Sequence, residues 1–195
     1  MIGGDVPLIK ELILKNRSYR RFYQNKFIET SALKELVDLA RLSPSGANIQ
    51  PLRYILSNSK ELNDTINKYI FWAGYYKDWD GPSEGEKPSA YIVIVNDIML
   101  KKDSSHDEGI AAQSILLGAV EKGLGGCILG NIDKKQLTEA LNLDEKYEID
   151  LVLALGYPKE EVVIETVNEY GDVRYWRDEN EVHHVPKRTL DELIL

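Results

Sequence analysis

The sequence predicts a mixed α/β chain, folded as a single domain over residues 1–195, and three observations carry that prediction. Two continuous apolar runs rich in β-branched residues, Tyr91-Ile92-Val93-Ile94-Val95 and Leu151-Val152-Leu153-Ala154-Leu155, suit strands buried on both faces. Between them, residues 108–122 are apolar on most sides and read as a buried helix. With 43% hydrophobic residues and 29% charged residues of both signs, a chain of 195 residues can enclose a sizeable core and lacks the composition of a disordered one.

The remaining elements follow from periodicity and end signals. Asp5-Val6-Pro7 reads as a helix start, with Asp5 as cap and Pro7 in the first turn. Leu8, Ile9, Leu12 and Ile13 then share one face, and the helix runs out between Lys15 and Ser18. Thr30 or Ser31 caps a second helix, in which Leu33, Leu36, Val37 and Ala40 form the apolar stripe. Ser43-Pro44-Ser45-Gly46 ends it and opens a loop. Residues 53–56 read as a short strand, 60–70 as a helix, and 74–89 as an exposed loop rich in Gly, Pro, Ser and charge. Gly123-Leu124-Gly125-Gly126 terminates the buried helix and leads to a strand at Cys127-Ile128-Leu129. Lys134 to Leu141 is another short helix, and Gly156-Tyr157-Pro158 stops the last buried strand.

A net charge of −8 and a pI near 5.0 argue against a general nucleic-acid binder, which needs a basic face. The single cysteine, Cys127, allows neither an intrachain disulfide nor a cysteine-based zinc site, and its apolar neighbours suit a buried, inert thiol. Met1 to Lys15 lacks the apolar core of a signal peptide, and no run is long enough to span a bilayer, so the expected location is the cytoplasm, with no membrane partner.

Four stretches are able to carry chemistry. Arg17-Ser18-Tyr19-Arg20-Arg21 concentrates guanidinium groups that either bind phosphate or stabilise the end of the first helix. Ser43 to Pro51 offers hydroxyls, the amides of Asn48 and Gln50, and a glycine, suited to a polar ligand or to an ordinary turn. The glycines at 123–130 fail as a dinucleotide fingerprint: Ile128 stands where the third glycine belongs, and the glycines precede the strand rather than follow it. Gly130 still permits close approach of backbone to a flat ligand. His183 and His184 alternate sides on an extended chain and do not have the spacing of a metal site, while Lys187 and Arg188 suit either phosphate or the chain's carboxylates.

Taken in order, these stretches resemble the FMN-dependent nitroreductase family, which includes NADH oxidase and flavin reductase types. Residues 17–22 are similar to its Arg-Ser-x-Arg-x-Phe motif, and residues 42–51 to its Ala-Pro-Ser-x-x-Asn-x-Gln-Pro loop. Asp107 to Gln113, Gly123 to Gly130, Ala154 to Pro158 and Pro186-Lys187-Arg188 match in order and spacing, so the resemblance spans about residues 10–192. Leu52 departs from it, since many members carry an aromatic residue there, and the loop from Tyr75 to Pro82 is not shared by the whole family; it either caps the substrate side or is a surface turn with Trp79 packed down.

The resemblance implies an α+β fold: a three-layer α/β/α sandwich with a mixed, mainly antiparallel sheet, built as an intertwined homodimer with FMN at the interface. By matched position, Arg17, Ser18 and Arg20 hold the phosphate and pyrimidine side of the flavin. Pro44, Ser45, Gly46, Asn48 and Gln50 contribute from the loop that approaches from the partner, Leu129 and Gly130 lie by the ring, and Lys187 with Arg188 completes the phosphate pocket. Flavin N5 does the chemistry, so no side chain is assigned as catalytic and no metal is expected. NADH or NADPH is the transient reductant, and the acceptor in a ping-pong cycle is a small molecule: a nitroaromatic, a quinone, a flavin or similar. A flavin-transforming or dehalogenating branch, a flavin-binding sensor without turnover, and a structural domain without flavin stay open at this point.

Overall fold

In the computed structural model, residues 9–195 are described. The expected start at Asp5 and Pro7 and the apolar Leu8 lie outside them. The chain runs through α1 (Ile9–Lys15), α2 (Thr30–Leu42), a 3-10 turn (Gly46–Asn48), β1 (Leu52–Ser57), α3 (Lys60–Asn67), β2 (Ala90–Asp97) and α4 (Ser105–Glu121). It continues with β3 (Gly125–Leu129), α5 (Lys134–Ala140), β4 (Tyr147–Gly156), β5 (Val162–Thr166), β6 (Trp176–Arg177), β7 (His183–Lys187) and α6 (Leu190–Leu193).

The period-two alternation of a strand explains why β2 is buried along its whole length. Ala90, Ile92 and Ile94 pack with Leu33 and Leu36 of α2 and with Ala112 and Ile115 of α4. Tyr91, Val93 and Val95 face the opposite core, with Ile66 of α3 and Leu137 of α5. Strand β4 alternates in the same way, sending Leu153 and Leu155 to the first core and Val152 and Ala154 to the second. Helices therefore cover both faces of a four-stranded antiparallel sheet of order β1-β2-β4-β3. A smaller sheet of order β5-β7-β6 holds one parallel pair, β5 with β7. This is the α+β sandwich, mixed but mainly antiparallel, that the resemblance implied.

Several local expectations are corrected. Neither Thr30 nor Ser31 caps α2: the cap position is Glu29, without a side-chain bond, and the Thr30 hydroxyl instead accepts from Asn58 Nδ2 at 3.0 Å. Helix α3 stops at Asn67 rather than at residue 70, since Ile70 instead bridges to Ile132. Helix α4 begins at Ser105, three positions before residue 108, through a polar first turn that an apolar pattern does not reveal. The 74–89 segment has no helix or strand but is not simply exposed: Pro82, Pro88 and Ser89 are buried.

Helix α1 has no buried residue, and Ile9, Ile13 and Leu14 lie open on it. Leu39 and Leu42 of α2 and Ile110 of α4 are also exposed. Leu12, Leu39, Leu42 and Leu117 line a shallow groove along these three helices. No helix among the described residues is long and apolar enough to cross a membrane.

Candidate functional site

The arginine segment is seated on the sheet by glycines that make room for it. A Cβ at Gly125 would lie 2.4 Å from the Tyr19 ring, and one at Gly156 2.7 Å from the ring of the fully buried Phe22. Side chains are excluded at both positions, so the two aromatic residues pack directly on the sheet backbone. Tyr19 N–H donates to Gly126 O at 3.0 Å, which anchors the segment beside the start of β3. Arg17, Ser18, Arg20 and Lys187 then line one cavity of about 440 Å³, with Asn16, Val173, Tyr175, His183, Val185 and Pro186 completing its wall. The resemblance implied that Arg17, Ser18 and Arg20 hold the phosphate and pyrimidine side of the flavin and that Lys187 completes the phosphate pocket, and the fold places all four on one cavity.

The electrostatics of this cavity are one-sided. Among the described residues it presents three cations and no carboxylate, in a chain of net charge −8. Arg17 gives Nη2 to Ile13 O at 2.8 Å, but its Nε is buried without a partner, as is Nε of Arg20. Burial lowers the Arg17 pKa, against a smaller opposing effect from Tyr19. Such donors suit an anion with several oxygen acceptors, such as a phosphate.

A layer of side chains that the sequence did not reveal closes the cavity from behind. Arg20 is 8% exposed and lies over the Tyr175 ring, 4.5 Å from its centroid. Its Nη1 meets His183 Nε2 at 3.0 Å, and His183 Nδ1 meets the Tyr76 hydroxyl at 2.5 Å. Burial first, then the charges of Arg20 and Arg177, push the His183 pKa down to about 3. The Glu160 carboxylate accepts from the backbone N–H groups of Arg20 and Arg21 and from Arg177 Nη2 at 2.8 Å. Arg177 in turn lies over the rings of Tyr76 and Trp79, with Trp79 edge-on to Trp72. Trp79 is thus packed down on Arg177 and Trp72. His184, on the other side of β7, pairs with Glu165 and stacks on Trp176. The available signal was aromatic density: Tyr75-Tyr76 with Trp79, and Tyr175-Trp176, stand in otherwise charged surroundings.

The 44–51 loop forms a second, separate cavity. Pro44, Ser45 and Gln50 line a space of about 410 Å³ together with Arg53, Tyr54 and Asp107. Ala47, Asn48 and Gln50 all have positive φ, at 50°, 56° and 54°. Such backbone strain in non-glycine residues persists only when neighbours over-determine it. Here the buried Asp107 accepts from Ser45 Oγ at 2.7 Å and Gly46 N–H at 3.0 Å and pairs with Lys101 at 3.4 Å, while Arg53 donates to Gln50 O at 3.0 Å. Burial raises the Asp107 pKa, but those donors outweigh it and hold the carboxylate below its ordinary range. The Ser45 hydroxyl also accepts from Gln50 N–H at 2.9 Å, so it shapes the loop.

Leu129 ends β3 and Gly130 follows it, roughly 10 and 14 Å along the chain from Gly126 at ~3.4 Å per residue. Leu129 is buried, whereas Gly130 is exposed. Neither lines the two cavities above, and Arg188 lies outside both, 3.6 Å from Glu192. Cys127 is buried, and desolvation raises its thiol pKa.

The profile of the nitroreductase family matches residues 13–95 and 101–157, which contain the arginine segment, the strained loop and the end of β3. The chain belongs to the nitroreductase family. Among its relatives in the family is an oxygen-insensitive NADPH nitroreductase of Helicobacter acinonychis, 24% identical over 165 residues, covering 68% of this chain and 79% of the relative. An iodotyrosine deiodinase of Thermotoga neapolitana is also 24% identical, covering 78% of this chain and 90% of that protein. The solved structure of an FMN-dependent nitroreductase of Clostridium difficile is 26% identical, with a TM-score of 0.62 over 77% of this chain and 87% of that one. The nitroreductase profile stops at residue 157, before the segment that supplies Glu160, Arg177 and His183.

Proposed function

We propose that this nitroreductase-family chain is an oxidoreductase that holds FMN, takes electrons from NADH or NADPH, and passes them in a ping-pong cycle to a small-molecule acceptor. The observation that carries the reading is the cavity of Arg17, Arg20 and Lys187, with no carboxylate on its wall among the described residues. Its buried, unpartnered guanidinium nitrogens fit the phosphate of FMN, and the exposed Gly130 leaves room for a flat ring beside the sheet. When bound, FMN supplies the redox chemistry, accepting hydride from the nicotinamide and returning electrons to the acceptor. The chain's own part is to bind and orient. Arg17 and Lys187 neutralise phosphate, Arg20 serves the phosphate or the pyrimidine edge, Ser18 contributes a hydroxyl, and backbone at Leu129 and Gly130 lines the ring.

The 44–51 loop belongs in this reading to the site of a second copy. Its cavity is separate from the arginine pocket within one chain, and the apolar faces of α1, α2 and α4 offer a surface for a homodimer. Pro44, Gly46, Asn48 and Gln50 then approach the flavin held by the partner's arginines.

An absorption spectrum under anaerobic conditions tests the reading. Bound FMN with bands near ~370 and ~450 nm that bleach on adding NADH or NADPH is the expected result. Absence of flavin binding overturns it, and bound flavin that neither nucleotide reduces overturns the assignment of the reductant. The deiodinase relative favours a second reading of the acceptor, a halogenated aromatic. Halide release from such a compound, outpacing reduction of nitroaromatics and quinones by the reduced protein, would select it.

A further inference from the structure

We propose that His183 and Tyr76 are positioning residues that fix the Arg20 guanidinium for a negatively charged oxygen of the flavin, on either its phosphate or the pyrimidine edge of its ring. This inference rests on the FMN reading above. A buried arginine ordinarily pairs with a carboxylate, because an unpaired buried charge is costly. Arg20 is only 8% exposed, yet among the described residues no carboxylate lies within ion-pair distance of its guanidinium. Its side-chain partners are instead uncharged: Ser18 O at 3.2 Å, His183 Nε2 at 3.0 Å and the Tyr175 ring.

The geometry dictates the histidine's protonation. A guanidinium can only donate, so His183 Nε2 accepts and its proton sits on Nδ1. That N–H points to the Tyr76 hydroxyl, 2.5 Å away, in a site where His183 is 1% exposed. The ring is therefore held in one tautomer from one side and used as an acceptor on the other. A neutral acceptor orients the guanidinium without neutralising it, and the charge is kept for a ligand. A carboxylate at position 183 would orient it equally well and consume that charge.

Titrations of the full chain with FMN and with riboflavin test this. His183→Leu is expected to weaken FMN binding by about tenfold or more, the scale of a hydrogen bond to a charged group. His183→Gln, whose amide oxygen can still accept from Arg20, should recover most of that loss, and Tyr76→Phe should fall between them. In an Arg20→Ala background, His183→Leu should have little further effect. Loss confined to FMN assigns Arg20 to the phosphate; equal loss for riboflavin, with a lowered flavin midpoint potential, assigns it to the ring. Equal losses from His183→Leu in the two backgrounds would overturn the inference while leaving the FMN reading intact. So would a nitrogen NMR signature of a proton on Nε2, which needs no substitution. A native chain that binds no flavin would defeat both.

Discussion

The arginine pocket and the 44–51 loop hold their polar groups by different means. The pocket is backed by a packed layer in which Arg20, Arg177 and His183 are sandwiched among Tyr76, Trp79 and Tyr175. Among the described residues, no carboxylate faces its cations on the open side. The loop is mostly exposed and strained, and one buried carboxylate, Asp107, ties it to α4. One half is thus shaped from within the chain, while the other is presented outward. The difference suits a site in which each copy holds a cofactor and also covers its partner's.

If the pocket is the anion-holding half, Arg17→Glu has the largest effect on binding. A carboxylate would face the phosphate, and FMN affinity should fall by about a thousandfold, as for reversal of a desolvated charge contact. Undiminished affinity in equilibrium dialysis would remove Arg17 from the site. Asp107→Ala tests the other half. It leaves Ser45 Oγ and Gly46 N–H without their acceptor and should destabilise the fold by about 3 kcal/mol in urea unfolding. Flavin affinity should fall with it, because the loop loses its anchor. A stable variant with normal affinity would mean that Arg53 alone holds the loop.

Gly156→Ala separates seating of the arginine segment from its charge. The new methyl would meet Phe22, an overpacking that costs about 2 kcal/mol. A smaller loss measured by chemical denaturation would indicate that the segment shifts freely. A further effect is expected on acid stability. The His183 pKa is depressed from 6.5 to about 3, so the unfolded chain binds its proton first. Stability from this group is full above about pH 6.5 and declines as pH falls toward 3. His184, whose pKa is raised through Glu165 and Asp178 despite the desolvation that opposes it, acts in the opposite sense. The informative quantity is therefore the difference between the native chain and His183→Gln. A difference that does not shrink on acidification would contradict the assignment.

These contrasts also explain what could be read from sequence. Strand β2 and the second half of β4 were legible because they are buried on both faces, and burial leaves a direct apolar signature; α4 was legible from its dense apolar residues, although Ile110 among them lies open. The arginine segment and the loop were legible as composition, and their order resembled a known family. Asp107 was visible only as part of a motif: its role depends on α4 crossing the loop, a contact between positions 61 and 62 residues apart. The layer of Tyr76, Glu160, Arg177 and His183 was missed because its members are distributed over two loops and two short strands. No period connects them, and each alone is an ordinary surface residue type. Ser45 shows a related limit, since its residue type suggests a ligand contact but both its hydrogen bonds serve the loop.

Subunit mixing measures most directly whether the two halves meet across a dimer. One chain would carry Arg17→Glu, the other Asn48→Ala with Gln50→Ala, each unable to retain FMN alone. After subunit exchange, mixed dimers have one site built wholly from intact halves, so flavin occupancy should return to about a quarter of the native level. No recovery, with exchange verified by mass spectrometry, would contradict a site shared between copies and return both cavities to a single chain.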